Sequence, residues 1–102
     1  IHVEDHCKAI MLVLEKGISG ESYNISSSNE VNNLTLVKKI LEFLNKSNEN
    51  IQFVENRAGE DTRYSLDSTK IYEELGWKPQ INFDMGLEKT IQWYICNKDW
   101  WK

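Results

Sequence analysis

The sequence predicts a small α/β lobe of mixed helices and short strands. Apolar residues at helical spacing alternate with short runs that alternate polar and apolar side chains. Gly, Pro or a polar cluster follows each helical stripe. No internal repeat, low-complexity segment or linker interrupts the series. With 102 residues the chain makes one domain at most, residues 1–102. It is long enough to bury a modest core, about two-thirds of its unfolded surface.

Each element has a local cause. His2-Val3 reads as the end of a strand, and Glu4 and Asp5 then open a helix, where acidic side chains suit the positive end of the helix dipole. Ala9, Ile10, Val13 and Leu14 form its stripe, and Gly17 with Gly20 ends it. Ser22-Tyr23-Asn24-Ile25 alternates as a short strand does, and the Ser- and Asn-rich residues 26–33 read as a loop. Thr35 is the expected N-cap of the next helix, whose Leu36, Ile40, Leu41 and Leu44 share a face beside Val37. Residues 46–50 make a turn and Ile51–Val54 a strand. Asp67-Ser68 caps a short helix through Leu75, Gly76 ends it and Pro79 prevents its continuation. Asn82 caps the last helix, with Leu87, Ile91 and Tyr94 as its stripe.

Composition narrows the function. A net charge of −4 argues against nucleic acid as the main partner, because a phosphate backbone calls for a basic surface. The Ile10–Leu14 run falls far short of the roughly 20 apolar residues that span a bilayer. Cys7 and Cys96 are expected to be reduced thiols of a cytoplasmic protein. With no secretory signal, the sequons at Asn24, Asn33 and Asn45 read as chance matches. Ile1 stands in place of an initiator methionine, so a fragment or processed product is expected.

Neither a glycine-rich nucleotide fingerprint nor a serine-nucleophile or zinc-protease motif is present. His2 and His6 are four apart, but His2 falls before the helix, so backbone capping is the expected role and no metal site is assigned. Trp100-Trp101 are expected to pack a terminal helix onto its neighbour.

The chemistry-bearing stretch is Asn56-Arg57-Ala58-Gly59-Glu60-Asp61-Thr62-Arg63-Tyr64, on a loop between a predicted strand and a helix. Arginine suits phosphate because its planar fork donates parallel hydrogen bonds and stays charged. Glycine lets backbone approach a ligand closely. In an acidic chain this points to a small anion in a local pocket. Either arginine could instead pair with Glu55, Glu60 or Asp61, and Tyr64 is expected to face the core.

The order of His2-Val3-Glu4-Asp5-His6, the Gly20–Ile25 run, Asn56–Tyr64, Leu75-Gly76-Trp77-Lys78-Pro79 and Gly86–Tyr94 resembles the C-terminal part of the extended short-chain dehydrogenase/reductases. The likeness covers essentially the whole chain and is nearest to the 4,6-dehydratase branch, which acts on dTDP-glucose. It implies the nucleotide-sugar-binding lobe of a larger, homodimeric enzyme. NAD and a Tyr-x-x-x-Lys pair would belong to an N-terminal Rossmann domain, and no catalytic residue falls within this chain.

Carried over by position, Arg57 corresponds to an arginine gripping the nucleotide diphosphate, and Asn33 to an asparagine contacting the same ligand. Asn56, Ala58, Gly59 and Glu60 complete the candidate loop. The resembling pattern is Asp-Arg-Pro-Gly-His-Asp, so Asn56, Ala58 and Glu60 depart from it, and a glutamate beside a diphosphate is electrostatically unfavourable. Ala58 and Glu60 keep a UDP-sugar epimerase or decarboxylase lobe as an alternative. A non-catalytic α/β interaction module is the third reading.

Overall fold

The computed structural model describes residues 1–27 and 29–102. Among them lie five α-helices: α1 (Val3–Lys16), α2 (Asn33–Phe43), α3 (Thr69–Leu75), α4 (Phe83–Cys96) and α5 (Lys98–Trp101). A 3-10 turn spans Asn48–Asn50. The chain divides into two compact units, one of Ile1–Asn29 with Leu66–Lys102 and one of Glu30–Ser65.

The expected strands are absent among the described residues: none of residues 1–3, 22–25 or 51–54 joins a ladder, and Val3 already belongs to α1. A strand needs a second backbone about 4.8 Å away to exchange hydrogen bonds with. Alternating side chains can prepare such a segment but cannot supply its partner. The mixed helix-and-strand expectation is therefore corrected to a helical architecture over the described residues.

In the first unit α1 packs against α3. Ala9, Ile71 and Trp77 form the buried core, flanked by Leu12, Val13, Tyr23, Ile25 and Leu75. The irregular segment after α1 is held by side chains. The Tyr23 hydroxyl donates to Glu74 Oε2 at 2.8 Å, and Lys70 pairs with Glu21 at 2.6 Å while lying over the Tyr23 ring. Ser26 Oγ donates to the Leu66 carbonyl at 2.8 Å, and Ser68 Oγ to the Ser26 carbonyl at 3.3 Å, so the strands of chain leaving and rejoining this unit are tied together.

Asp5 fixes the start of α1. It is 1% exposed, and its Oδ2 accepts the backbone N–H groups of Gln80 at 2.9 Å and Ile81 at 2.8 Å. The sequence showed only a dipole role for this carboxylate; it also anchors the segment that leads into α4. Gly86 completes the junction, since a Cβ there would meet His2 Cβ and Ile81 Cγ2 at 3.3 Å each. His2 is the N-cap of α1, its Nδ1 accepting from the Glu4 N–H, which replaces the expected strand end.

Two expected ends hold. Gly76 terminates α3 in the left-handed region at φ 71°, and Asn82 Oδ1 caps α4 through the Met85 N–H at 2.9 Å. At the C-terminus Trp100 packs edge-on against Trp93 of α4 with ring centroids 5.0 Å apart, and Trp101 donates its indole N–H to the Tyr94 carbonyl. The terminal helix thus packs on its neighbour as expected, although Trp100 stays 71% exposed. No helix among the described residues is long and apolar enough to cross a membrane.

Candidate functional site

All six candidate ligand residues lie in the second unit. Asn33 is the first residue of α2. The cap is Asn32, whose Oδ1 accepts the Thr35 N–H at 2.8 Å; this corrects the expected Thr35 cap and starts the helix three residues earlier. α2 ends with Asn45 at φ 52°, the Asn45 N–H bonded to Glu42 and the Lys46 N–H to Leu41, a Schellman motif. α1 and α4 carry acids in their first turns and α2 carries none, so no carboxylate of its own first turn offsets the positive end beside Asn33.

Residues 57–60 form a β-turn. The Glu60 N–H donates to the Arg57 carbonyl at 3.2 Å, and Gly59 has φ 77° while Ala58 has no positive φ. A positive φ at the third position alone defines a type II turn, which favours Gly there. Gly59→Ala is therefore expected to destabilise this turn by about 1–2 kcal/mol through left-handed strain. Faster amide exchange at Glu60, with residues 1–27 unaffected, is the check.

The Arg57 guanidinium is exposed, and no carboxylate among the described residues pairs with it. Glu60 turns instead to the backbone, its Oε2 accepting the Arg57 N–H at 3.2 Å. Asn56, Ala58 and Gly59 are exposed around it, and Asn33 is exposed at the start of α2 with no hydrogen bond to the turn. The structure thus gathers Asn56 to Glu60 in one turn and leaves Asn33 separate within the same unit.

Arg63 is engaged elsewhere. Its Nε and Nη2 donate to the two oxygens of Glu30 at 2.9 and 2.6 Å, and Ser65 Oγ adds a third bond at 2.9 Å. The expected partners Glu55, Glu60 and Asp61 take no part. Tyr64 is 79% exposed, which corrects its expected core position.

Glu30 and Ser65 are the first and last residues of the second unit, so one carboxylate clasps its ends. The hydrogen bonds from Arg63 and Ser65 lower the Glu30 carboxyl from 4.5 to about 2. The folded value lies below the unfolded one, so the clasp's contribution is complete above about pH 4.5 and fades as pH falls toward about 2. Protection of the amides across residues 30–65, taken relative to their intrinsic exchange rates, should fall in that window, and Glu30→Gln should remove the part of that fall that depends on this carboxylate.

The first unit carries an open groove of about 1030 Å³, lined by Ile1, Val3, Trp93, Tyr94, Cys96 and Trp100 among others. Its walls belong to α1, α4 and α5, and Ile10, Met11 and Leu14 are further exposed apolar residues on α1. Among the described residues no group of three His, Cys, Asp or Glu side chains is placed to hold a metal.

A family model described as GDP-mannose 4,6 dehydratase matches residues 1–90. The chain belongs to this family. Within it, the chain is similar to the dTDP-glucose 4,6-dehydratase of Streptomyces niveus, at 45% identity over 102 residues, covering 100% of this chain and 30% of that protein. The corresponding protein of Haemophilus influenzae is 48% identical over 108 residues, with 95% of this chain and 32% of that protein covered. The crystal structure of DesIV, a dTDP-glucose 4,6-dehydratase from Streptomyces venezuelae solved with NAD, matches with a TM-score of 0.94 and 42% identity over 100% of this chain and 32% of that one. The family fold is that of an extended short-chain dehydrogenase/reductase. The chain spans about a third of the length of these relatives.

Proposed function

We propose that residues 1–102 are the C-terminal, nucleotide-sugar-binding lobe of a cytoplasmic dTDP-glucose 4,6-dehydratase. The observation that carries this reading is the unneutralised Arg57 guanidinium, presented on a type II turn in a chain that follows DesIV with a TM-score of 0.94. Arg57 grips the diphosphate of dTDP-glucose, Asn33 contributes from the positive end of α2, and Asn56, Ala58 and Gly59 shape the approach.

The intact enzyme converts dTDP-glucose to dTDP-4-keto-6-deoxyglucose, a lyase reaction in which NAD takes up and returns the hydride. These 102 residues contain no glycine-rich turn that would cradle a dinucleotide, so NAD is assigned to an N-terminal Rossmann domain of the parent. In this reading the acid/base chemistry belongs to that N-terminal domain as well, so the lobe's part is to bind and orient and alone it is inactive. The apolar groove and the exposed stripe of α1 support a covering domain, since apolar faces of this kind mark contact surfaces. The parent is a homodimer in this reading.

Incubating the full-length protein with dTDP-glucose, UDP-glucose or GDP-mannose tests the assignment. Formation of the 4-keto-6-deoxy product from dTDP-glucose in preference to the other two is the expected result. Turnover confined to either of the others would replace it.

A further inference from the structure

We propose that Glu60 acts as a positioning residue for Arg57 and not as a ligand contact; this rests on the diphosphate reading of Arg57. Two hydrogen bonds join the pair reciprocally. The Glu60 N–H donates to the Arg57 carbonyl at 3.2 Å, and the Arg57 N–H donates to Glu60 Oε2 at 3.2 Å. Both backbone groups of Arg57 are thereby held by one residue across the turn, which fixes the direction in which the Arg57 side chain leaves the backbone.

The same bond disposes of the charge. Arg57 is flanked in sequence by Glu55, Glu60 and Asp61, any of which could neutralise its guanidinium. Glu60, the nearest along the turn, spends its carboxylate on a backbone N–H, and an ionised acceptor makes the stronger hydrogen bond there. Arg63 offers no competing attraction, because its fork is filled by Glu30. The outcome is a cation left free for an incoming anion, with the acid held on the backbone of the turn. The unfavourable glutamate of the sequence thus acquires a use that a direct ligand contact would not give it.

The test is dTDP binding to the full-length protein by calorimetry, with amide exchange at Arg57 measured alongside. Glu60→Ala removes the acceptor, so dTDP affinity should fall about three- to tenfold, the scale of one net hydrogen bond. The Arg57 amide should also exchange faster. Glu60→Gln keeps an acceptor oxygen without the charge, and should restore both binding and exchange toward the parent. Equal losses in the two variants would show that binding does not depend on an acceptor oxygen for the Arg57 N–H, and would overturn the proposal. Equal or tighter binding in Glu60→Ala would overturn it as well. Arg57→Ala separates the two layers. If it binds dTDP as the parent does, the diphosphate reading falls and takes this inference with it. If it binds weakly while Glu60→Ala is unaffected, only the inference falls.

Discussion

Replacing Arg57 with alanine in the full-length protein is expected to weaken dTDP binding by about 1.5–3 kcal/mol, the scale of hydrogen bonds to a charged group. That corresponds to roughly ten- to 150-fold in Kd. The size follows from the setting. The guanidinium has no carboxylate partner to release before it meets a diphosphate, so little is lost elsewhere when the new bonds form. Arg57→Lys keeps a cation but loses the planar fork, and should fall between the two. Its residual affinity should weaken with salt as point charges do. Arg57→Ala should leave the unfolding midpoint unchanged, because the side chain is exposed and unpaired. Calorimetric affinities equal to the parent would reject the role.

The second large effect concerns stability. Asp5→Ala should lower the unfolding free energy by about 2–4 kcal/mol, because two backbone N–H groups lose their acceptor at a buried junction. Gln80 and Ile81 belong to the segment that delivers the chain to the Asn82 cap of α4, so the loss should be felt there first. Asp5→Asn retains an oxygen for those donors. Asp5 Oδ1 is buried without a hydrogen-bond partner, so the amide nitrogen would take a place where no acceptor is at hand. The expected order of midpoints in chemical denaturation is parent, then Asp5→Asn, then Asp5→Ala. Three coincident midpoints would show that the buried carboxylate is not the anchor described.

What could be read from the sequence was what local chemistry decides. Gly76 and Asn82 mark helix limits because a left-handed residue and a side-chain acceptor act on the nearest turn, and both stand where expected. The start of α2 was misplaced at Thr35, because a cap is decided by which side chain reaches the backbone, and the Asn32 carboxamide takes the Thr35 N–H. Strands depend on a partner backbone, which alternation in 22–25 or 51–54 cannot reveal. Ion pairing was equally hidden. Arg63 has three acids nearby in sequence, yet its partner Glu30 lies 33 residues away in a stretch that reads as polar loop. Tyr64 was equally hidden: an aromatic side chain reads as core, yet this one is 79% exposed. The Asn56–Glu60 stretch was legible as a loop, but neither its type II turn nor the direction taken by the Glu60 carboxylate was.

The most direct measurement is a crystal structure of the full-length protein with dTDP bound. The account predicts diphosphate oxygens within about 3.2 Å of the Arg57 guanidinium nitrogens, the ordinary reach of such a bond, with Glu60 still on the Arg57 backbone. A nucleotide seated elsewhere, with that guanidinium in open solvent, would contradict it.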